Sequence, residues 1–72
     1  DLISEDIMTY SEAIKKLRLT MCLTQTEFGK IFGVSYSTVN RWESGIHEPT
    51  MKIKRQLKKY FNEVGINVEV NV

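Results

Sequence analysis

Apolar residues recur at intervals of three and four through most of the chain, and the period changes only near its end. Ala13, Ile14, Leu17 and Met21 share one face of a helix predicted over about 10–21. Thr9 to Glu12 reads T-x-x-E, a capping box in which hydroxyl and carboxylate satisfy orphan amides at the helix start. Thr24 to Glu27 repeats the device, with Leu23 before the cap and Phe28 placed for a hydrophobic staple. The second helix runs to Phe32, where Gly33 suits a left-handed end. Ser35 caps a third helix that turns Val39 and Trp42 inward, with Val34 packing at the turn and Gly45 ending it. Thr50, after Pro49, caps a fourth helix whose stripe is Ile53, Leu57, Tyr60 and Phe61, stopped at Gly65. The second and third helices span about two turns each. Isolated helices under ~12 residues are marginal, so these two must pack on each other and on the longer pair.

From Ile66 to Val72 apolar and polar residues alternate, the period of a strand with one apolar face. A lone strand is unstable, and no second strong strand is visible. The tail, 66–72, is therefore expected to pair with another copy or with a segment outside the sequence, and to serve as a dimerisation element or as a contact for a protein partner. Residues 1–8 are weakly patterned and predict a short helical turn or a frayed arm. The expected fold is all-α: a compact bundle of four or five helices over 1–65, with a short strand-like tail.

Seventy-two residues, 42% apolar and 26% charged, suit one small globular domain rather than a multidomain enzyme or a disordered chain. No apolar run approaches the roughly 20 residues of a membrane span. The acidic start, Asp1 to Asp6, lacks the basic-then-apolar order of a secretory signal. Without an initial Met the chain is expected to be either trimmed at its start or a piece of a longer protein. A single cysteine, Cys22, forms no internal disulfide and points to a reducing cytoplasm; one Cys and one His also make too few ligands for a structural zinc site. Neither metal nor cofactor is expected.

The net charge of +1 conceals an asymmetry. All ten Lys and Arg lie between Lys15 and Lys59, where Glu27, Glu43 and Glu48 are the only acids: ten bases against three acids give +7. A basic centre of this kind fits either a solvated helical surface or a polyanion partner.

The span Thr24–Gly45, a capped helix, a Gly-containing turn and a second capped helix, has the layout of a helix-turn-helix whose second helix is offered to a DNA major groove. Gly29 inside the second helix costs about 1 kcal/mol relative to Ala, a sign that another backbone, expected to be the third helix, passes close by. Ile14, Leu17 and Arg18, then Leu23-Thr24-Gln25, Glu27-Phe28-Gly29, Gly33-Val34-Ser35, Val39, Trp42-Glu43, Gly45 and Pro49 together resemble the phage-repressor and Cro type of helix-turn-helix domain, the xenobiotic-response-element family. The resemblance covers about half the chain; Gly29, where the family more often has Ala, is a mild departure. It implies a compact helical domain that binds operator DNA, usually as a homodimer.

With Val39 and Trp42 inward, Tyr36, Ser37, Asn40 and Arg41 face the groove. Arg41 suits bidentate pairing to guanine, Asn40 to adenine, Ser37 either kind of base edge, and Tyr36 a thymine methyl or a phosphate. Gln25 and Ser35 open helices, whose free amides favour phosphate; the resemblance also gives Gln25 a phosphate contact. Thr38, Ser44 and Lys52 are further phosphate candidates. The resemblance assigns Arg18 and Glu43 a structural ion pair. Lys54, Arg55, Lys58 and Lys59 crowd the fourth helix, with Lys58 and Lys59 read as a solvated face. His47 is expected in solvent, Cys22 buried as packing, and Met8, Met21 and Met51 as core or cover. No nucleophile–base pair, carboxylate cleft or phosphate loop argues for an enzyme. The expected function is sequence-specific binding of double-stranded DNA by a transcriptional regulator, a repressor by preference. The rivals are the DNA-binding antitoxin of a toxin–antitoxin pair and a protein-interaction module on the same fold.

Overall fold

In the computed structural model, which describes residues 7–68, helix boundaries follow the capping chemistry closely. Helix α1 spans Tyr10–Thr20, α2 Gln25–Phe32, α3 Tyr36–Ser44 and α4 Met51–Val64. Thr9 and Thr24 each accept a hydrogen bond from the amide three residues on, and Glu12 and Glu27 accept from the cap amides in return, so both capping boxes are complete. Ser35 and Thr50 cap α3 and α4 with their hydroxyls.

Ala13, Ile14 and Leu17 of α1, Phe28 of α2, Val39 and Trp42 of α3, and Leu57 and Phe61 of α4 form one buried core, closed by Ile66. Phe32 meets Phe28, Trp42 and Tyr60 at ring-centroid distances of 5.0, 6.4 and 5.8 Å, so one half-buried aromatic links α2, α3 and α4. These tilted and edge-on geometries suit the ring quadrupoles. Helix α3 packs on α2 and α1, and α4 on α1.

Gly29 is buried, and a Cβ built on it would overlap the carbonyl oxygen of Val34 and press on that of Ser35. The close backbone is therefore the turn leading into α3 rather than the body of that helix. Gly33 makes the turn possible: it adopts φ 73° and donates its amide to the Gly29 carbonyl, while Val34 donates to the same oxygen. A side chain at that φ would be strained.

Two regions differ from the sequence-based expectation. Strand β1, Ile7–Met8, pairs in parallel with β2, Asn67–Val68, in the register Ile7 to Asn67 and Met8 to Val68. The tail thus finds a partner at the other end of its own chain, and Ile66 belongs to the core. A strand of two residues is too short to show a period, which is why β1 left no mark in the sequence. The remainder of the alternating stretch, 69–72, and residues 1–6 lie outside the described residues.

Cys22 is exposed, not buried. Helix α1 ends at Thr20 with Met21 as its C-cap, and the chain reverses toward α2 through Cys22 at φ 59°, its amide bonded to the Leu19 carbonyl. This left-handed step turns the side chain to solvent instead of the core. Met51 is likewise exposed at the first position of α4, while Met8 and Met21 pack partly buried against the core.

Gly29→Ala should lower stability although Ala is the better helix former by about 1 kcal/mol, because backbone must move to admit the methyl. Urea unfolding that shows the variant to be more stable would contradict this contact. Glu27 is held below its ordinary carboxylate pKa by hydrogen bonds from the Thr24 backbone and side chain. A depressed folded pKa stabilises above the unfolded value and loses that contribution as pH falls through the folded one. The stability difference between wild type and Glu27→Gln, followed by thermal melts, should therefore be constant at neutral pH and change only as pH falls below 4.5.

Candidate nucleic-acid interface

Burial divides α3 into two faces. Val39 and Trp42 are sealed in the core, and Tyr36, Ser37, Asn40 and Arg41 are all exposed. Positions 36, 37, 40, 41 and 44 follow helical spacing, so these side chains share one outward surface with Ser44. Tyr36 is 60% exposed despite its aromatic ring, at the N-terminal end of the helix, the part that reaches deepest into a groove in helix-turn-helix docking.

The other candidates are placed with more constraint. The Ser35 hydroxyl caps α3 by accepting from the Thr38 amide, and it also meets the hydroxyls of Ser37 at 3.0 Å and Thr38 at 3.3 Å. Thr38 is half-buried at the edge of the outward face. The Ser44 hydroxyl donates to the Asn40 carbonyl at 2.8 Å, one turn back in the same helix. Lys52 is exposed in the first turn of α4. His47 is exposed in the loop between α3 and α4.

Arg18 and Glu43 meet across 25 residues of sequence. Arg18 Nε donates to Glu43 Oε2 at 2.7 Å and Nη2 to Oε1 at 3.1 Å, a bidentate pair. Their side chains are only 13% and 7% exposed. The Glu43 hydrogen bonds raise the Arg18 pKa above its ordinary value against the cost of desolvation. The third nitrogen, Nη1, donates to the Leu23 carbonyl at 3.0 Å. Gln25 joins the same group, its Nε2 donating to Glu43 Oε1 at 3.2 Å. One carboxylate on α3 therefore ties together the end of α1 and the start of α2.

This network is also an electrostatic device. Among the three acids of the basic span, Glu43 is matched by Arg18, Glu48 is bonded to Lys54 at 2.9 Å, and Glu27 is spent on capping α2. Lys54 is additionally held over the Tyr10 ring, 4.7 Å from its centroid. The other eight bases, Lys15, Lys16, Lys30, Arg41, Lys52, Arg55, Lys58 and Lys59, are exposed, and none pairs with a described acid. Arg41, on the outer face of α3, is thus among the bases left unpaired by the described acids, and unpaired positive charge of this kind attracts polyanions.

A family model described as helix-turn-helix matches residues 14–67, three quarters of the chain. The chain belongs to the helix-turn-helix family. The match takes in all four helices in whole or large part and agrees with the phage-repressor and Cro type, a family of DNA-binding domains rather than enzymes. Comparison with curated proteins and with solved structures gives no match. In this helix-turn-helix chain α2 and α3 are the two helices of the motif, Gly33 to Ser35 is its turn, and α3 is the helix whose outer face stands free. Among the described residues no helix is long and apolar enough to cross a membrane, and no group of three His, Cys, Asp or Glu residues is arranged to hold a metal.

Sequence reading alone missed the Gln25–Glu43 bond, the use of the Leu23 carbonyl, and the anchoring of Lys54 by Glu48 and Tyr10. The first joins residues 18 apart, on different helices, and no local spacing encodes it. Arg18→Ala or Glu43→Ala should destabilise the fold by about 3–5 kcal/mol, since each leaves the partner charge unpaired. Replacing both by a Met–Leu pair should cost clearly less than the two single changes summed. Additive losses in chemical denaturation would show that the pair is not coupled.

Proposed function

We propose that this protein binds double-stranded DNA sequence-specifically and regulates transcription by occupying an operator, in the manner of a repressor. The observation that carries this reading is the two-sided burial of α3: a sealed inner face, and an outer face of Tyr36, Ser37, Asn40 and Arg41 free for a groove. Arg41 would take a guanine by its O6 and N7, Asn40 an adenine, and Ser37 either kind of base edge. Tyr36 would lie on a thymine methyl. Gln25, Ser35, Thr38, Ser44 and Lys52 would hold phosphates on either side and fix the register without reading sequence.

A helix of nine residues reaches only a few base pairs, and each correct base pair is worth about 1–3 kcal/mol. Two copies on an inverted repeat, with recognition helices about 34 Å apart, double that discrimination. The proposed assembly is therefore a homodimer on DNA in the cytoplasm. The exposed bases supply affinity by releasing counterions, so binding should weaken steeply with salt.

Selection from random duplexes by the purified protein should enrich an inverted repeat. Arg41→Ala should relax one base pair per half-site and weaken binding to the selected sequence about tenfold or more. Lys52→Ala should instead weaken all duplexes alike and reduce the salt slope by about 0.9 per copy. No enrichment even at low salt would overturn the proposal, leaving a helix-turn-helix fold that serves protein contacts.

A further inference from the structure

The Glu43 side chain is only 7% exposed, yet its carboxylate reaches a residue proposed above to touch DNA. Oε1 accepts from both Arg18 Nη2 and Gln25 Nε2, at 3.1 and 3.2 Å, while Oε2 accepts from Arg18 Nε. Arg18 is fixed in turn by the Leu23 carbonyl, and the Leu23 amide donates back to the Arg18 carbonyl at 3.1 Å. The segment entering α2 is therefore clasped from both sides, immediately before Gln25 at the first position of the helix.

We infer that Glu43 is a positioning residue for DNA binding: it sets the polarity and place of the Gln25 amide so that the free N–H meets a backbone phosphate in register with the base-reading side chains of α3. The inference rests on reading Gln25 as a phosphate contact. A glutamine amide has a donor end and an acceptor end, and free in water it presents either. A carboxylate only accepts. Facing Glu43, the amide must turn its nitrogen inward, and the one N–H not used there remains for an anion. Because Glu43 belongs to α3, the phosphate contact and the reading helix move together. The ordering of a flexible side chain is completed before DNA arrives, which removes that cost from binding.

The test replaces single phosphates of the selected duplex by neutral methylphosphonate. At one phosphate per half-site the wild type should lose about tenfold in affinity, the scale of one hydrogen bond to a charged acceptor. Gln25→Met should show less than threefold loss there, and Glu43→Gln, whose amide no longer dictates the polarity of its neighbour, should lose most of the sensitivity as well. A purely structural Glu43 would weaken binding to every duplex by the same factor and leave the tenfold sensitivity in place, overturning the inference while the DNA-binding proposal stands. If Gln25→Met keeps full sensitivity, both the clamp and its positioning fall; if the wild type selects no duplex, the proposed function falls with them. Side-chain amide relaxation in the unaltered, DNA-free protein gives a measurement independent of any variant's folding. The Gln25 amide should be rigid beside that of Gln56, which is exposed on α4, and equal mobility of the two would refute prior positioning.

Discussion

The burial of Val39 and Trp42 beneath α1 and α2 is the constraint on which the remaining architecture depends. A helix of nine residues does not persist alone, and its apolar stripe amounts to these two side chains. Trp42 is 2% exposed and Val39 fully covered, so rotation of α3 about its axis would expose an indole or bury charged and amide groups without partners. Either is costly on the scale of a small domain's total stability. The inward face therefore fixes the outward one, and Tyr36, Ser37, Asn40 and Arg41 are displayed because Val39 and Trp42, on the opposite side of the helix, cannot be.

Charge is arranged around that display with the same economy. The basic span carries only three acids, and each is engaged by a specific partner: Glu43 by Arg18 and Gln25, Glu48 by Lys54, Glu27 by the Thr24 cap. The charges of Glu43 and Glu48 are thus neutralised at short range, where Coulomb interactions are strong, while exposed bases act at the longer distances over which a polyanion is attracted. The Arg18–Glu43 pair has a mechanical role too. It joins α1 to α3 and, through Leu23 and Gln25, to the opening of α2, so three helix ends meet at one bidentate contact.

The chain ends contribute a smaller constraint. Gly65 turns the chain out of α4, Ile66 enters the core, and Asn67–Val68 lies beside Ile7–Met8. Strands in parallel cannot be joined by a tight turn and need a long crossover; here the four helices are that crossover. Pairing holds the start of α1 and the end of α4 together, where Tyr10 and Phe61 also meet at 6.3 Å between ring centroids.

Local chemistry in the sequence determined the four helices and nearly all of their ends. Capping boxes at Thr9 and Thr24, hydroxyl caps at Ser35 and Thr50, and the glycines after each of the last three helices act within one turn of chain, so nearest neighbours suffice to read them. The same holds for the two faces of α3, because 3.6-residue spacing separates Val39 and Trp42 from Arg41 and Asn40. Family resemblance, not spacing, pointed to the Arg18–Glu43 pair. What only the tertiary structure decided involves groups distant along the chain or steps of one or two residues. The bond from Gln25 to Glu43, the anchoring of Lys54, the overlap of the Val34 carbonyl with any side chain at 29, the outward turn of Cys22 and the pairing of the two terminal strands are all of this kind. A hydrogen bond between helices is specified by their mutual placement, and that placement is the joint outcome of the whole core rather than of any segment within it.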